Sequence, residues 1–170
     1  MGKDGLLEVR EIKFRGYDPD TKRWYYGSLV KQNKTTYVTS EDYDQNPSNT
    51  EWFILWDEMT DWCLPNRHLQ GNVDPKSIGE YIGKHDKNGR EIYESDILKV
   101  TPEDGESYVA TVKWFGDEDY PAFDLEGIPA AWNYDANALA TIFQSGVETC
   151  EVIGNIFEDK QLLEGNNVTD

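Results

Sequence analysis

Two cysteines, two histidines and a surplus of carboxylates are the groups in this chain that could do chemistry, and their spacing withholds most of it. Cys63 and His68 would make half of a zinc site. A closed tetrahedral shell needs four ligands, and the remaining candidates are Cys150 and the distant His85. A Cys nucleophile with a His base is equally unsupported, because spacing nominates no third, orienting group and no loop to stabilise an oxyanion. Isolated cysteines and histidines are structural by default. Asp86-Lys87-Asn88-Gly89 invites a calcium-loop reading. Setting Gly89 at the sixth position of an EF-hand loop puts Lys84 at position one and Ser95 at position twelve, so a cation and a hydroxyl stand where carboxylates belong. Asp117 and Asp119 could share a divalent cation, but a chain with 33 acidic residues produces such pairs by chance. There is no Walker loop, dinucleotide fingerprint or nucleophile elbow. The expectation is a protein without enzymatic activity, cofactor or metal.

Recognition is better supported than catalysis. Aromatic residues alternate with charge in Lys22-Arg23-Trp24-Tyr25-Tyr26 and in Lys113-Trp114-Phe115. The candidate contact residues are Trp24, Tyr25 and Trp114, with Asp117, Glu118 and Asp119 as an acidic face, set against the plainer reading in which strand aromatics belong to the core. The formal net charge is −17, with 16 basic against 33 acidic residues. That balance disfavours nucleic acid, which is held by releasing counterions onto Lys and Arg. It fits a solvated acidic surface. A sharper reading is that clustered carboxylates imitate nucleic-acid phosphates and occupy the basic groove of a host protein. A third reading, a nucleic-acid-binding accessory factor, rests only on Arg10, Lys13, Arg15, Lys22 and Arg23 gathering near the first hairpin. Cys63 and Cys150, with no CxxC spacing and no secretion leader, read as two reduced, mostly buried thiols. No segment has the length of a membrane span, so a soluble cytoplasmic protein with no membrane partner is expected.

The elements that must position these residues are strands. Six Trp and ten Tyr favour the pleated, half-buried surface of a sheet. The chain divides into a leader at 1–8, an N-terminal β subdomain at 9–72, a C-terminal subdomain at 73–160 and a tail at 161–170. Val9 to Phe14 alternates as a strand. Asp18-Pro19-Asp20-Thr21 turns the chain so that Lys22 to Lys31 returns, with a bulge at Gly27. Tyr37 to Thr39 reads as a third strand, Glu41 to Thr50 as a polar loop, Trp52 to Trp56 as a buried strand, and Leu64 to Asn72 as an irregular junction. Tyr81 to Tyr93 is a β-hairpin, closed by a type I turn in which Gly89 supplies the positive φ. Ile97 to Val100, Tyr108 to Phe115, Tyr120 to Leu125 and Thr149 to Phe157 follow as strands. A short helix runs from Ala136 to Phe143, capped by Asp135 and ended by Gly146. The class is all-β, with an N-terminal hairpin region followed by a small SH3-like β-barrel carrying one short helix.

Four phrases then carry a resemblance: Arg10 to Gly16, Tyr25-Tyr26-Gly27-Ser28-Leu29, Ile82 to Glu94 with its Asp86-Lys87-Asn88-Gly89 turn, and Glu151 to Glu158. In this order the chain resembles the YopX family of phage and prophage proteins. The resemblance implies a β-rich fold and a gene carried by phages of low-GC Gram-positive bacteria or their relatives. It implies no known activity and supplies no catalytic residues. The chain departs from the family pattern at Ser95, where glycine commonly precedes the aspartate. The functional expectation is a phage-encoded accessory protein that acts as a non-enzymatic interaction module, binding an unidentified host or phage protein, with homo-oligomerisation left open.

Overall fold

Asp18 sets the first register. Its Oδ1 accepts from the backbone N–H of Asp20 (2.9 Å) and of Thr21 (3.4 Å), and its carbonyl accepts from Lys22 N–H at 2.8 Å. Lys22 takes a left-handed φ of 57°. Counted back from Asp18↔Arg23, the pairing reaches Phe14↔Gly27, so strand β1 spans Phe14–Asp18; residues 10–13 of the expected first strand precede it, and Val9 lies outside the described residues. The computed structural model describes residues 10–36, 39–41, 47–132, 134 and 136–167. The leader, Tyr37 and Val38 of the expected third strand, part of the polar loop, the expected Asp135 cap and the end of the tail lie outside the described residues.

β2 (Arg23–Asn33) pairs with β1 through Gly27 and with β3 (Thr50–Glu58) from Ser28 onward. The register on each side is unbroken, so Gly27 marks a change of partner and not a bulge. A Cβ there would overlap the Leu55 carbonyl oxygen. β4 (Arg67–Asn72) pairs with β3 along its length, where the sequence reads as an irregular junction. Its polar, mostly exposed residues give no hydrophobic alternation, and Gly71 is needed because the Tyr25 ring lies against it.

β5 (Gly79–His85) and β6 (Glu91–Tyr93) form the expected hairpin, with Gly89 at φ 82°. β5 bonds to β1 through Phe14↔Glu80 and Arg15↔Gly79, which gives a six-stranded antiparallel sheet of order β4-β3-β2-β1-β5-β6. β7 (Asp96–Thr101), β8 (Tyr108–Trp114), β9 (Phe123–Glu126) and β10 (Thr149–Asn155) form a second sheet of order β10-β7-β8-β9. The fold is therefore mostly β, as expected. The SH3-like barrel is corrected: neither sheet closes on itself, and residues 73–160 contribute strands to both because β5 uses β1 as its neighbour.

Helix α1 (Ala138–Ser145) is capped by Asn137, whose Oδ1 accepts from Ala140 N–H, and it ends at left-handed Gly146. It packs Leu139 and Ile142 against Leu98, Val100, Val112 and Leu125 of the second sheet, in a core that also takes Ile92 from β6. Burying such side chains stabilises by about 1.5–3 kcal/mol each. The β6–β7 corner joins the sheets through backbone bonds. Glu94 N–H donates to Glu80 O (2.9 Å), Ser95 N–H to Val112 O (2.8 Å), and Ser95 O accepts from Ile156 N–H (3.0 Å). Ser95 holds φ at 76°, the conformation that favours glycine, which accounts for the residue type the family pattern places there.

Candidate interaction surface

Arg15 on β1 and Asp96 on β7 meet across the two sheets, Nη1 to Oδ1 at 2.7 Å, with side chains only 8% and 1% exposed. The guanidinium lies 5.0 Å from the Trp24 ring and 5.1 Å from the Tyr93 ring, an internal cation–π sandwich. The second oxygen of Asp96 accepts from Tyr93 N–H at 2.7 Å. Burial pushes the Asp96 carboxyl up, and the opposing pull of Arg15 and of that N–H only partly offsets it. Beside the pair, Tyr26, Arg90, Glu91 and Val152 complete the lining of a recess of about 330 Å³.

This pairing alters the basic cluster expected near the first hairpin. Arg15 is buried against Asp96, Lys13 pairs with Glu91 and with Glu11 (3.1 Å), and Arg10 lies 3.7 Å from Glu80. Lys22 and Arg23 stay exposed.

The turn of the central hairpin is bound to the other sheet. Asp86 accepts from the N–H groups of Asn88, Arg90 and, across the molecule, Val152, each at 2.9 Å. Burial raises its carboxyl, but these donors outweigh that and hold it below the usual carboxylate range. Lys87 N–H reaches Cys150 O (3.0 Å), and an Arg90 guanidinium nitrogen reaches Val152 O (3.2 Å). Asp86 is thus a structural ligand to backbone.

The six candidate contact residues fall into two places. Trp24 is half-buried between Tyr17 and Phe157 and donates its indole N–H to Glu158 Oε1 at 2.6 Å. Tyr25 stacks on Trp56 at 4.6 Å and donates its hydroxyl to Asp18 Oδ2. These two line a recess with Arg23, Tyr26, Trp56 and Glu58. Trp114 meets Phe123 edge-on, and with Asp117, Glu94 and Ile156 it borders a separate recess of about 360 Å³. Glu118 holds Lys113 at 2.7 Å, with Glu126 on the same ammonium at 2.9 Å. Those carboxylates raise the Lys113 ammonium to about 12. Asp119 is exposed and closes the turn with a left-handed φ of 64°.

The three most exposed large apolar side chains among the described residues lie where the sequence reading expected no surface feature. The β3–β4 connection presents Met59, Trp62 and Leu64 at 80%, 87% and 58% exposure. It is a built tip. Trp62 N–H donates to Asp61 Oδ1 (2.6 Å), Leu64 N–H to Asp61 O (3.2 Å), and the Thr60 hydroxyl to Pro65 O (3.0 Å). Below it, Asp57 pairs with His68 at 2.5 Å and Glu58 with Arg67 at 2.7 Å. Cys63 sits in this turn, exposed at φ 66°, so of the two thiols expected to be mostly buried only Cys150 is buried. Burial pushes the Cys150 thiol up to about 11. The sequence signal was present in Met59, Trp62, Leu64 and Pro65. Pro65 directly after Leu64, with Asp57, Glu58 and Asp61 interrupting the apolar residues, marks a turn rather than a core strand.

The model of the family described as YopX protein matches residues 13–164. The chain belongs to the YopX family. Among curated proteins none matches. A solved structure similar to this YopX chain is the crystal structure of protein EF1440 from Enterococcus faecalis, at 18% identity and a TM-score of 0.47, covering 91% of this chain and 99% of that one. Within the YopX region the four phrases converge on the seam between the sheets. Arg15 comes from the first, Tyr26 from the second, Asp86, Arg90 and Tyr93 from the third, and Val152 from the fourth. Among the described residues no three His, Cys, Asp or Glu side chains gather as metal ligands, and no helix is long and apolar enough to cross a membrane.

Proposed function

We propose that this YopX chain is a phage- or prophage-encoded accessory protein that works without catalysis, as a protein-interaction module whose main contact element is the β3–β4 tip. The observation that carries the reading is the exposure of Met59, Trp62 and Leu64 together on one hydrogen-bonded turn. Scattered apolar residues on a surface need no explanation, whereas a clustered trio that includes Trp has the composition of an interface centre. Burying Met or Leu fully is worth about 1.5–3 kcal/mol, while association costs about 4–15 kcal/mol, so the tip is an anchor and the partner must add contacts around it. Asp61, whose carboxylate bonds only to a backbone N–H among the described residues, favours a partner with a basic group beside the anchor. The test is capture from a lysate of a phage-bearing Gram-positive host, comparing the wild-type chain with Trp62→Ser. A discrete protein retained by the first and lost by the second is the expected result. Identical retention by both sinks the role of the tip.

A second reading, acidic mimicry of a nucleic acid, has one observation in its favour at the Trp114 recess. Burial first, and then the charges of Glu80 and Asp117, raise the Glu94 carboxyl, an imbalance that a basic partner side chain would relieve. Competition with DNA for a host DNA-binding protein, weakened by salt and by Asp117→Lys, would support it. Indifference to both excludes it.

A further inference from the structure

Opposite in character to the tip is a groove of about 360 Å³ between α1, β5 and β9, walled by Ile82, Phe123, Leu139, Ala140 and Phe143. Its one charged lining residue is Lys84, whose Nζ lies 5.8 Å from the Phe143 ring and makes no ion pair among the described residues. On a molecule of net charge −17, Lys84 offers a carboxylate a partner beside an apolar surface. The tip carries the complement. Trp62 is the most exposed of its large apolar residues, and Asp61 beside it bonds only to backbone N–H, leaving its charge unmatched among the described residues. Asp57 and Glu58, by contrast, already have side-chain partners in His68 and Arg67.

We infer that the groove between α1, β5 and β9 receives the β3–β4 tip of a second copy of this chain, Trp62 entering against Leu139 and Phe143 while Asp61 pairs with Lys84. The inference rests on the reading of the tip as a contact element and names its partner. The two surfaces are different patches, so the contact is heterologous or is made twice in a reciprocal dimer. In either geometry each copy needs one tip and one groove.

That requirement supplies the test. Trp62→Ser removes the anchor. Ala140→Glu fills the groove and opposes Asp61 with like charge, yet stands on an exposed third helical position where glutamate suits the helix terminus, so the fold tolerates it. Sedimentation equilibrium is run on the wild type, on each variant, and on their equimolar mixture, up to roughly 100 µM, a range that detects weak contacts of small area. The wild type is expected to self-associate, with each variant alone weakened at least about thirtyfold, the effect of losing a central Trp anchor. The mixture is expected to regain a heterodimer, because the tip of the Ala140→Glu chain finds the intact groove of the Trp62→Ser chain. A monomeric wild type, variants that associate as the wild type does, or a mixture that stays monomeric while the wild type associates each overturn the inference. If the wild type is monomeric but a lysate partner is still lost on Trp62→Ser, self-association falls and the tip's role as a contact element stands. If that partner is also retained by the variant, both fall.

Discussion

Arg15 and Asp96 look like a device for stability, but the free energies point elsewhere. Removing two charges from water costs several kcal/mol per ion, and burial outweighs the pull of Arg15 on the Asp96 carboxyl. Arg15→Met or Asp96→Leu alone is therefore expected to destabilise by about 3–5 kcal/mol, because each strands a buried partner. The double variant should lie closer to the wild type than the sum of the two, and a denaturant-unfolding cycle measures the difference. Asp86 behaves oppositely. Its folded pKa lies below the unfolded value near 3.8, so the native state holds fewer protons there than the unfolded chain. The stability it contributes is complete above that unfolded value and is lost as pH falls through the lower, folded one. Asp86→Asn should cost about 1–3 kcal/mol at neutral pH. The gap to wild type should narrow only below pH 3.8, as followed by thermal melts across pH. The turn role of Asp86 was readable from its neighbours in the chain, whereas its bond to Val152, 66 residues away, was not, since no local pattern encodes a partner at that distance.

Among the elements, those with strong local chemistry were legible. The hairpin closed by Gly89 and the helix ended by Gly146 stand where their turn residues put them. β4 was missed because an edge strand with one face in solvent and a Gly under the Tyr25 ring carries no period of two. The β3–β4 tip was missed with it, since the two strands define the turn between them. The β6–β7 corner shows a local rule broken for a serine. At φ 76° Ser95 is in a conformation that costs an ordinary residue about 1–2 kcal/mol. Ser95→Gly is expected to stabilise by about 1 kcal/mol after the larger unfolded-state entropy of glycine is subtracted. A higher denaturant midpoint with an unchanged slope is the signature, and an unchanged or lower midpoint would mean the serine side chain contributes more than its backbone costs.

For the whole molecule, short strands broken by Gly, Pro and Asp indicated the β class but not the closure. Whether such strands curl into a barrel or spread into two open sheets depends on which edge each one finds, and β5 finds β1 across more than 60 residues. The resulting seam, with the Arg15–Asp96 pair, the Ser95 corner and the Asp86 turn, couples the sheets. Unfolding is expected as one transition, with tryptophan fluorescence and far-UV circular dichroism coincident, since Trp24 and Trp114 report from different sheets. Two separated transitions would show that the seam is weaker than either sheet.

The strand order β10-β7-β8-β9 also has a meaning in time. During synthesis β7, β8 and β9 emerge together and can zip at once, but the outer edge of β7 stays unpaired until residue 155 has been made. That edge carries Ile97, Leu98 and Val100, all fully buried in the finished molecule. A ribosome that stalls within α1 would thus release a chain with a naked apolar edge, the template on which strands from neighbouring chains add, so β10 is also a safeguard against aggregation.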